Sequence, residues 1–551
     1  MADYPSIDPS SFDLIVIGTG LPESILASAS ATAGKTVLHL DPNSFYGNHF
    51  SSLPLDHFSS FLQSHSHCHS QQPNISPPTS SSNCLHLKHN NLFSHVHISN
   101  PHSEYLGPSN KFSLDLSGPK LLFCADPMVN IMLKSGATYH IEFKGVDATY
   151  VYRGDGDDKL MTVPDSRSAI FKSSVLTLKE KRQLMSFFKT VQEHILELEA
   201  ALTSNEEMRR ARTISDEELE CPFIDFLTTK GLPSNIKSII LYAIAMADYD
   251  QETPLLRKDF VIKTKDGIKS LALHNMSLGR FVNASGALIY PIYGQGELSQ
   301  AFCRCAAVKG ALYVLRMPVT ALLIDKESNC YKGVRLASGQ ELFSHHLVMS
   351  PSFTVPLSST ISSIRDVQGD SSESSSRSDV EGLVARAVCI TRVSIKPDLS
   401  NLLIIFPPRS LYPEQMTSVR ALQLGSGLAV CPPGLFVLYI STMCDAVAQG
   451  KELLHAAMNA LAHLLSRKHE SSTTMESDCV EEDGPNFLWS AIYVQELRKG
   501  SSEIIVSCPT PDGRLDYRDM LDSTIKLFHE MYAEVEFFPE TEDAENAEND
   551  E

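Results

Sequence analysis

The chain has 551 residues, 42% of them hydrophobic, so it can bury a sizeable core, and its length suggests several domains. A formal net charge of −20 argues against a nucleic-acid-binding surface as its main business. The twelve cysteines contain no CxxC pair, no apolar run approaches the ~20 residues that span a bilayer, and the opening MADYPSIDPSSFD has no basic stretch leading into an apolar one. A reduced, cytosolic protein is the expectation, and with no CaaX-type cysteine at the C-terminal end the chain is not itself expected to be prenylated.

Residues 12–41 read as strand, turn, helix and strand. Leu14-Ile15-Val16-Ile17 is a buried strand, Ile25–Ala33 a small-residue helix closed by Gly34, and Thr36–Leu40 a second strand ending at Asp41. The turn between them, GTGLPE, resembles a dinucleotide-binding turn. There the first glycine makes the bend, the second admits the pyrophosphate and the third lets helix and strand pack closely. Gly18 and Gly20 fit the first two positions, but Glu23 stands at the third. Its carboxylate would lie at the helix N-terminus where a pyrophosphate binds, and like charges repel there. Asp41 sits where a ribose-binding acid is expected. The turn is thus read as degenerate, with flavin binding kept as an alternative.

Residues 51–118 are rich in Ser, His, Asn and Pro, and ten of the twenty histidines fall between His49 and His102. His65, His67, Cys68 and His69 could ligate a metal, but a disordered polar insertion without metal is the preferred reading. Order resumes at Leu121. Thr149–Arg153 reads as a strand, and Leu178–Leu202 as an amphipathic helix. Pro233–Asp248 is apolar around most of its circumference, as in a helix buried on several sides or lining an apolar cavity. Strand-like runs follow at Leu312–Leu315, Ala321–Ile324, Ala385–Ile395 and Leu435–Tyr439. The expected division is an extension at 1–11, a sheet domain built from 12–50, 119–168, 278–355 and 381–533, a helical domain at 169–277, a Ser-rich loop at 356–380 and an acidic tail at 534–551.

No catalytic signature is present: there is no Walker loop, no HExxH and no GxSxG. Cys303 and Cys305 would share a face only on a strand, and their flanks read as helix, so joint chemistry is not expected.

Several long stretches, in order, resemble one family. They are DLIVIGTGLPESILASASATAGKTVLHLDPNSFYGN, YVYRGDG, VPDSRSAIFKSS with LTLKEKRQLMSFFK, YPIYGQGELSQAFCRCAAVKGALYVL, and ARAVCITRVSI. The family is the superfamily of Rab GDP-dissociation inhibitors and Rab escort proteins. The long insertion, the VPDSR wording and YGQGELSQAFCRCAAV all resemble its escort branch. The resemblance implies an α/β fold: an FAD-monooxygenase-like, Rossmann-type sheet domain, discontinuous in sequence, plus a smaller all-helical domain. It implies no cofactor and no catalysis by this chain. The expected partners are GDP-bound Rab GTPases, unprenylated and prenylated, the αβ heterodimer of Rab geranylgeranyltransferase, and the geranylgeranyl lipid, with transient membrane contact. A dissociation inhibitor that recycles prenylated Rabs and a flavin-dependent oxidoreductase are the alternatives.

Carried over residue by residue, the family's Rab-binding platform falls on Tyr46, Glu297 and Arg304. A tyrosine there offers rigid amphipathic area, and the charged pair can fix register on the partner. An aromatic at a strand end and an ion pair along one helix face are the purely structural readings. The helical domain is implied to shelter the lipid, with Ile239, Ile240, Ala243, Ile244 and Ala247 as groove candidates, or as plain helix–helix core. A twenty-carbon chain gains about 0.8 kcal/mol per sheltered methylene. Residues 221–235 are implied to face the transferase, with Phe223 and Phe226 as anchors, and residues 385–395 to grip the tail before the lipid or to form an ordinary core strand. The sequence departs from the family at Pro42, where a basic residue is usual, in extra residues near Ala284–Ala287, and in having no arginine in 221–235.

Overall fold

A computed structural model of the chain describes residues 4, 6–66, 84–154, 159–164, 177–203, 214–253, 260–325, 330–354, 380–466, 487–498 and 506–539. His67, Cys68 and His69, the Ser-rich stretch 356–379 and the acidic tail beyond 539 lie outside them. Among the described residues no cluster of His, Cys, Asp and Glu is arranged to hold a metal, and no helix is long and apolar enough to cross a membrane.

The first sheet orders its strands Leu312–Leu315, Val37–Asp41, Ser11–Ile17, Glu341–Met349, Tyr331–Leu336, Val319–Ile324 and Cys84–His86, with Val506–Ser507 added beside Glu341–Met349. Its centre is parallel, with Leu14 opposite Val37 and Ile15 opposite both Leu38 and Leu347. Leu14, Ile15, Val16 and Ile17 are all fully buried, which is why the run is continuous rather than alternating: a parallel strand covered on both faces has no solvent side. The helix Leu21–Thr32 covers one face, and the helices Gly296–Val308 and Arg518–Met531 pack against it.

The second sheet, also of eight strands, is mostly antiparallel: Leu160–Thr162, Ala148–Tyr152, Leu402–Phe406, Val419–Gly425, Phe436–Cys444, Val380–Thr391, Trp489–Arg498 and Phe93–Ser99. Alternation in Val380–Thr391 sorts its side chains. Ala385, Ala387 and Cys389 pack on the helix Val447–Ser466, while Val388 and Ile390 join the core shared with the helical part. Residues 385–391 thus form a core strand, while Val393, beyond its end, is exposed. The strand is paired on both edges, Val384, Val388 and Ile390 are buried, and it ends at Thr391.

The helical part comprises Leu178–Thr203, Asp216–Glu220, Phe223–Thr229, Ser234–Ser238, a π-helical turn Ile239–Ile244 and Thr264–Ser277. It shares one continuous hydrophobic core with the second sheet. The stretch 51–118, expected as a disordered insertion, needs correction. It holds the helix Leu55–Ser66 and the strand Phe93–Ser99, which extends the second sheet. Its polar composition hid apolar anchors, Phe58, Leu62, Phe93, Phe112 and Leu114, all buried.

Candidate partner-binding site

The site begins at the degenerate turn. Gly18 has φ +100, a region a side chain rarely adopts, and a Cβ there would stand 2.7 Å from Ser350 Cβ. Gly20 precedes the helix Leu21–Thr32 with no side-chain cap. The Glu23 side chain folds back over it, so that Oε2 lies 2.3 Å from the position of a Gly20 Cβ. Glu23 is buried, and burial pushes its carboxyl up to about 8. The close approach that the second glycine would offer a pyrophosphate is taken by the protein's own side chain.

Asp41 is likewise engaged. Its Oδ2 accepts from the Thr19 amide at 2.8 Å and the Thr19 hydroxyl at 2.7 Å, and its Oδ1 from the Asn43 amide at 2.7 Å. The turn residues therefore do not fit a dinucleotide. Thr19 passes the constraint on: its carbonyl and its hydroxyl each accept from the Gly47 amide at 3.0 Å. Gly47 has φ +99, and a Cβ on it would meet Ser51 Cα at 2.8 Å. Asp41 thus fixes, through Thr19, the loop that carries Tyr46.

Tyr46 is half-buried and meets Tyr313 edge to face, with ring centroids 6.1 Å apart. Tyr313 leans on the His39 ring at 4.8 Å, and His39 Nε2–H donates to the Gly18 carbonyl. Burial lowers His39 to about 4, so the ring is neutral at ordinary pH. Burial also raises the Tyr46 hydroxyl, with smaller contributions from Cys303 and Asp41. Cys303 belongs to the helix Gly296–Val308 and touches Ser24 Oγ at 3.2 Å, so Tyr46 stands beside that helix.

On the same helix, Glu297 is half-buried and Arg304 exposed. Burial raises the Glu297 carboxyl, and the Arg304 charge opposes this. Gln300 Nε2 donates to Glu297 Oε1 at 3.1 Å. The spacing puts 297, 300 and 304 along one face. The structure thus brings Tyr46 to the helix bearing Glu297 and Arg304. Tyr313 and Thr19, which seat Tyr46, were not singled out from the sequence. Tyr313 lies within the run Leu312–Leu315 that signals only a strand, and Thr19 stands between the two glycines with no pattern of its own to mark it.

The other sequence-derived positions fall elsewhere. Ile239, Ile240, Ala243, Ile244 and Ala247 are all buried in the shared core. Ala243 also borders a cavity of about 90 Å³, which Phe123, Val146, His274 and Leu288 line as well. That is well below the ~300–1,000 Å³ typical of ligand pockets, so it is too small to hold a twenty-carbon chain. Phe223 and Phe226 are 0% and 4% exposed and stack on each other with centroids 6.4 Å apart. The reading of them as surface anchors is corrected: they are core residues, and the tight seat of Phe223 requires Gly267, whose Cβ would stand 2.3 Å from its ring.

The chain matches the family model described as GDP dissociation inhibitor over residues 8–74 and 78–483. It is 51% identical to Rab escort protein 1 of Arabidopsis thaliana, across 100% of this chain and 97% of that protein. It is 27% identical to the Rab proteins geranylgeranyltransferase component A of Drosophila melanogaster, across 98% and 91%. In fold it is similar to the Rab GDI of Plasmodium falciparum, with TM-score 0.66, 18% identity and coverage of 96% and 99%. An oxidoreductase of Methanosarcina mazei superposes with TM-score 0.50 at 11% identity over 94% and 100%, so the α/β architecture is one that an oxidoreductase also uses.

Proposed function

Because the chain belongs to the GDP dissociation inhibitor family, we propose that the Tyr46, Glu297 and Arg304 surface is where it holds its GTPase. The chain is a Rab escort protein and a non-catalytic accessory component of Rab geranylgeranyltransferase. Its substrate-facing task is to bind a GDP-bound Rab, present it to the αβ transferase and then deliver the prenylated Rab to membrane from the cytosol. The observation that carries this reading is end-to-end identity of 51% with an escort protein, joined to a dinucleotide turn whose own acids are spent inside the fold.

The division of labour follows from the chemistry. This chain supplies position and shelter, and the bond to the lipid is made elsewhere. A half-buried tyrosine beside a helix that carries a half-buried acid and an exposed arginine suits a protein surface that must be recognised and then released. Sheltering the geranylgeranyl chain requires the helical part to open around Ile240, Ala243 and Ile244.

The test is geranylgeranyl transfer to a purified Rab by the αβ transferase, with and without this chain. Transfer that depends on the chain supports the escort role. Extraction of prenylated Rab from membranes without support of transfer would point to recycling instead.

A further inference from the structure

The loop that launches the helix Gly296–Val308 is held by a pair of side chains from the region whose composition suggested disorder. We propose that Ser52 and Asp115 are positioning residues that fix the start of this helix, and through it Glu297, in the geometry that engages the GTPase. The inference rests on the reading above that Glu297 contacts that partner.

Short strands Ser52–Leu53 and Leu114–Asp115 pair antiparallel, which sets Ser52 opposite Asp115. Asp115 is 1% exposed. Its Oδ1 accepts from Ser52 Oγ at 2.6 Å and from the Gln295 amide at 3.0 Å. Its Oδ2 accepts from Gln295 Nε2 at 2.8 Å and from the Tyr290 hydroxyl. Ser52 Oγ in turn accepts from the Gly296 amide at 2.8 Å. Two amides at the helix start, otherwise without intrahelical acceptors, are thus satisfied by one buried acid and the hydroxyl it orients.

The glycines of YGQGEL fit this clamp and nothing larger. Gly294 has φ +102, and a Cβ on it would stand 2.5 Å from Ser52 Oγ and 2.8 Å from Asp115 Oδ1. A Cβ on Gly296 would meet the Ser52 amide at 2.8 Å. Glu297 is the next residue. Its carboxylate has one hydrogen bond, to the neighbouring Gln300 on its own helix, so its placement is set by the backbone that the clamp holds. A buried carboxylate is costly to desolvate, and a fixed geometry is one use that repays it. Residues acting through a third one show their dependence as non-additivity.

The experiment measures binding of the full-length chain to a purified, unprenylated, GDP-bound Rab by calorimetry. The variants are Ser52→Ala, Ser52→Thr, Asp115→Asn, Glu297→Ala and the two doubles that add Glu297→Ala. Ser52→Ala, Asp115→Asn and Glu297→Ala are each expected to weaken binding about tenfold, the size of one well-placed polar contact. Ser52→Thr, which keeps the hydroxyl, should stay within about twofold, and the doubles should be no weaker than Glu297→Ala by more than about twofold. A merely structural role would lower thermal stability while leaving affinity below the transition unchanged, or would give doubles whose losses multiply; either result overturns the clamp. If Asp115→Asn does not fold, the Ser52 variants decide. If Glu297→Ala itself binds normally, the contact-face reading falls and the proposal with it, whereas a weakened Glu297→Ala beside a normal Ser52→Ala sinks the clamp alone.

Discussion

Glu23 Oε2 lies 2.3 Å from the point where a Cβ on Gly20 would stand, so the acid occupies the opening that a dinucleotide turn leaves for pyrophosphate. Its carboxyl is raised to about 8 by burial, with Asp41 adding a like charge, against an ordinary value of 4.5. Between those two values the folded chain holds a proton that the unfolded chain has lost. Stability therefore falls as pH rises through that window, by a few kcal/mol in all, on the order of 1.4 kcal/mol per pH unit. Glu23→Gln keeps the shape and removes the titration. Its thermal midpoint should exceed the parent's at pH 8.5 and change less between pH 6.5 and 8.5. The comparison is made above 6.5 because His39, lowered to about 4, acts in the opposite sense between 4 and 6.5. Asp126, raised to about 7, acts alike in both chains. Parallel pH profiles for the two chains would contradict the buried, protonated Glu23.

Arg304 is exposed and Glu297 half-buried, so their substitutions should separate affinity from stability. Arg304→Ala is expected to weaken Rab binding by about 1–2 kcal/mol, a typical interface contribution, with a thermal midpoint close to the parent's. Tyr46→Ala should weaken binding at least as much, since it also removes the edge-to-face contact with Tyr313. Calorimetry and a melting curve on the same samples check both. Unchanged affinity in either variant argues that the contact lies elsewhere on the surface.

The first βαβ unit was legible because its signals are local: a four-residue apolar run, a glycine turn and small helix residues. The spoiled cofactor turn was legible for the same reason, since Glu23 and Asp41 both lie within the one βαβ unit. The seat of Tyr46 was not, because it runs through Tyr313, far along the chain, and through hydrogen bonds to backbone that no side-chain pattern records. Composition misled at 51–118, where Phe58, Leu62 and Phe93 are few among many Ser and His yet suffice to dock a helix and a strand. Phe223 and Phe226 show the converse error. Phenylalanines on a short helix look equally suited to a surface or a core, and only the space left by Gly267 tells which.

That space makes a second stability prediction. Phe223→Ala removes a fully buried ring that stacks on Phe226 and should destabilise the fold by about 3–5 kcal/mol, read from the urea midpoint. Gly267→Ala should destabilise as well, because its Cβ would lie 2.3 Å from a ring carbon with core on its other side. Under conditions where Phe223→Ala remains folded, transferase-dependent prenylation should be close to the parent's. A selective loss of prenylation with an unaltered urea midpoint would restore Phe223 as a contact residue.

Arg420 ties the helical part to the second sheet at the end of the π-helical turn. One nitrogen donates to the Met246 carbonyl at 2.7 Å and another to Asp248 Oδ1 at 2.6 Å, and Ser418 Oγ donates to the Ala247 carbonyl at 2.7 Å. Met246 has φ +55, a conformation a β-carbon resists, so this fastening holds a strained exit from the turn. Ala245 and Ala247 donate back to Ile240 and Leu241, which are packed in the core where the lipid shelter is proposed. Arg420→Ala leaves Asp248 without its ion pair and should cost about 3–5 kcal/mol, the usual loss when one partner of a largely buried pair is removed. The loss should be local before it is global. Amide exchange at Ala245 and Ala247 should accelerate by orders of magnitude while that of Ile15 and Val16 in the first sheet stays slow. Equal acceleration at both places would mean that Arg420 supports the whole fold rather than the closure of this one turn.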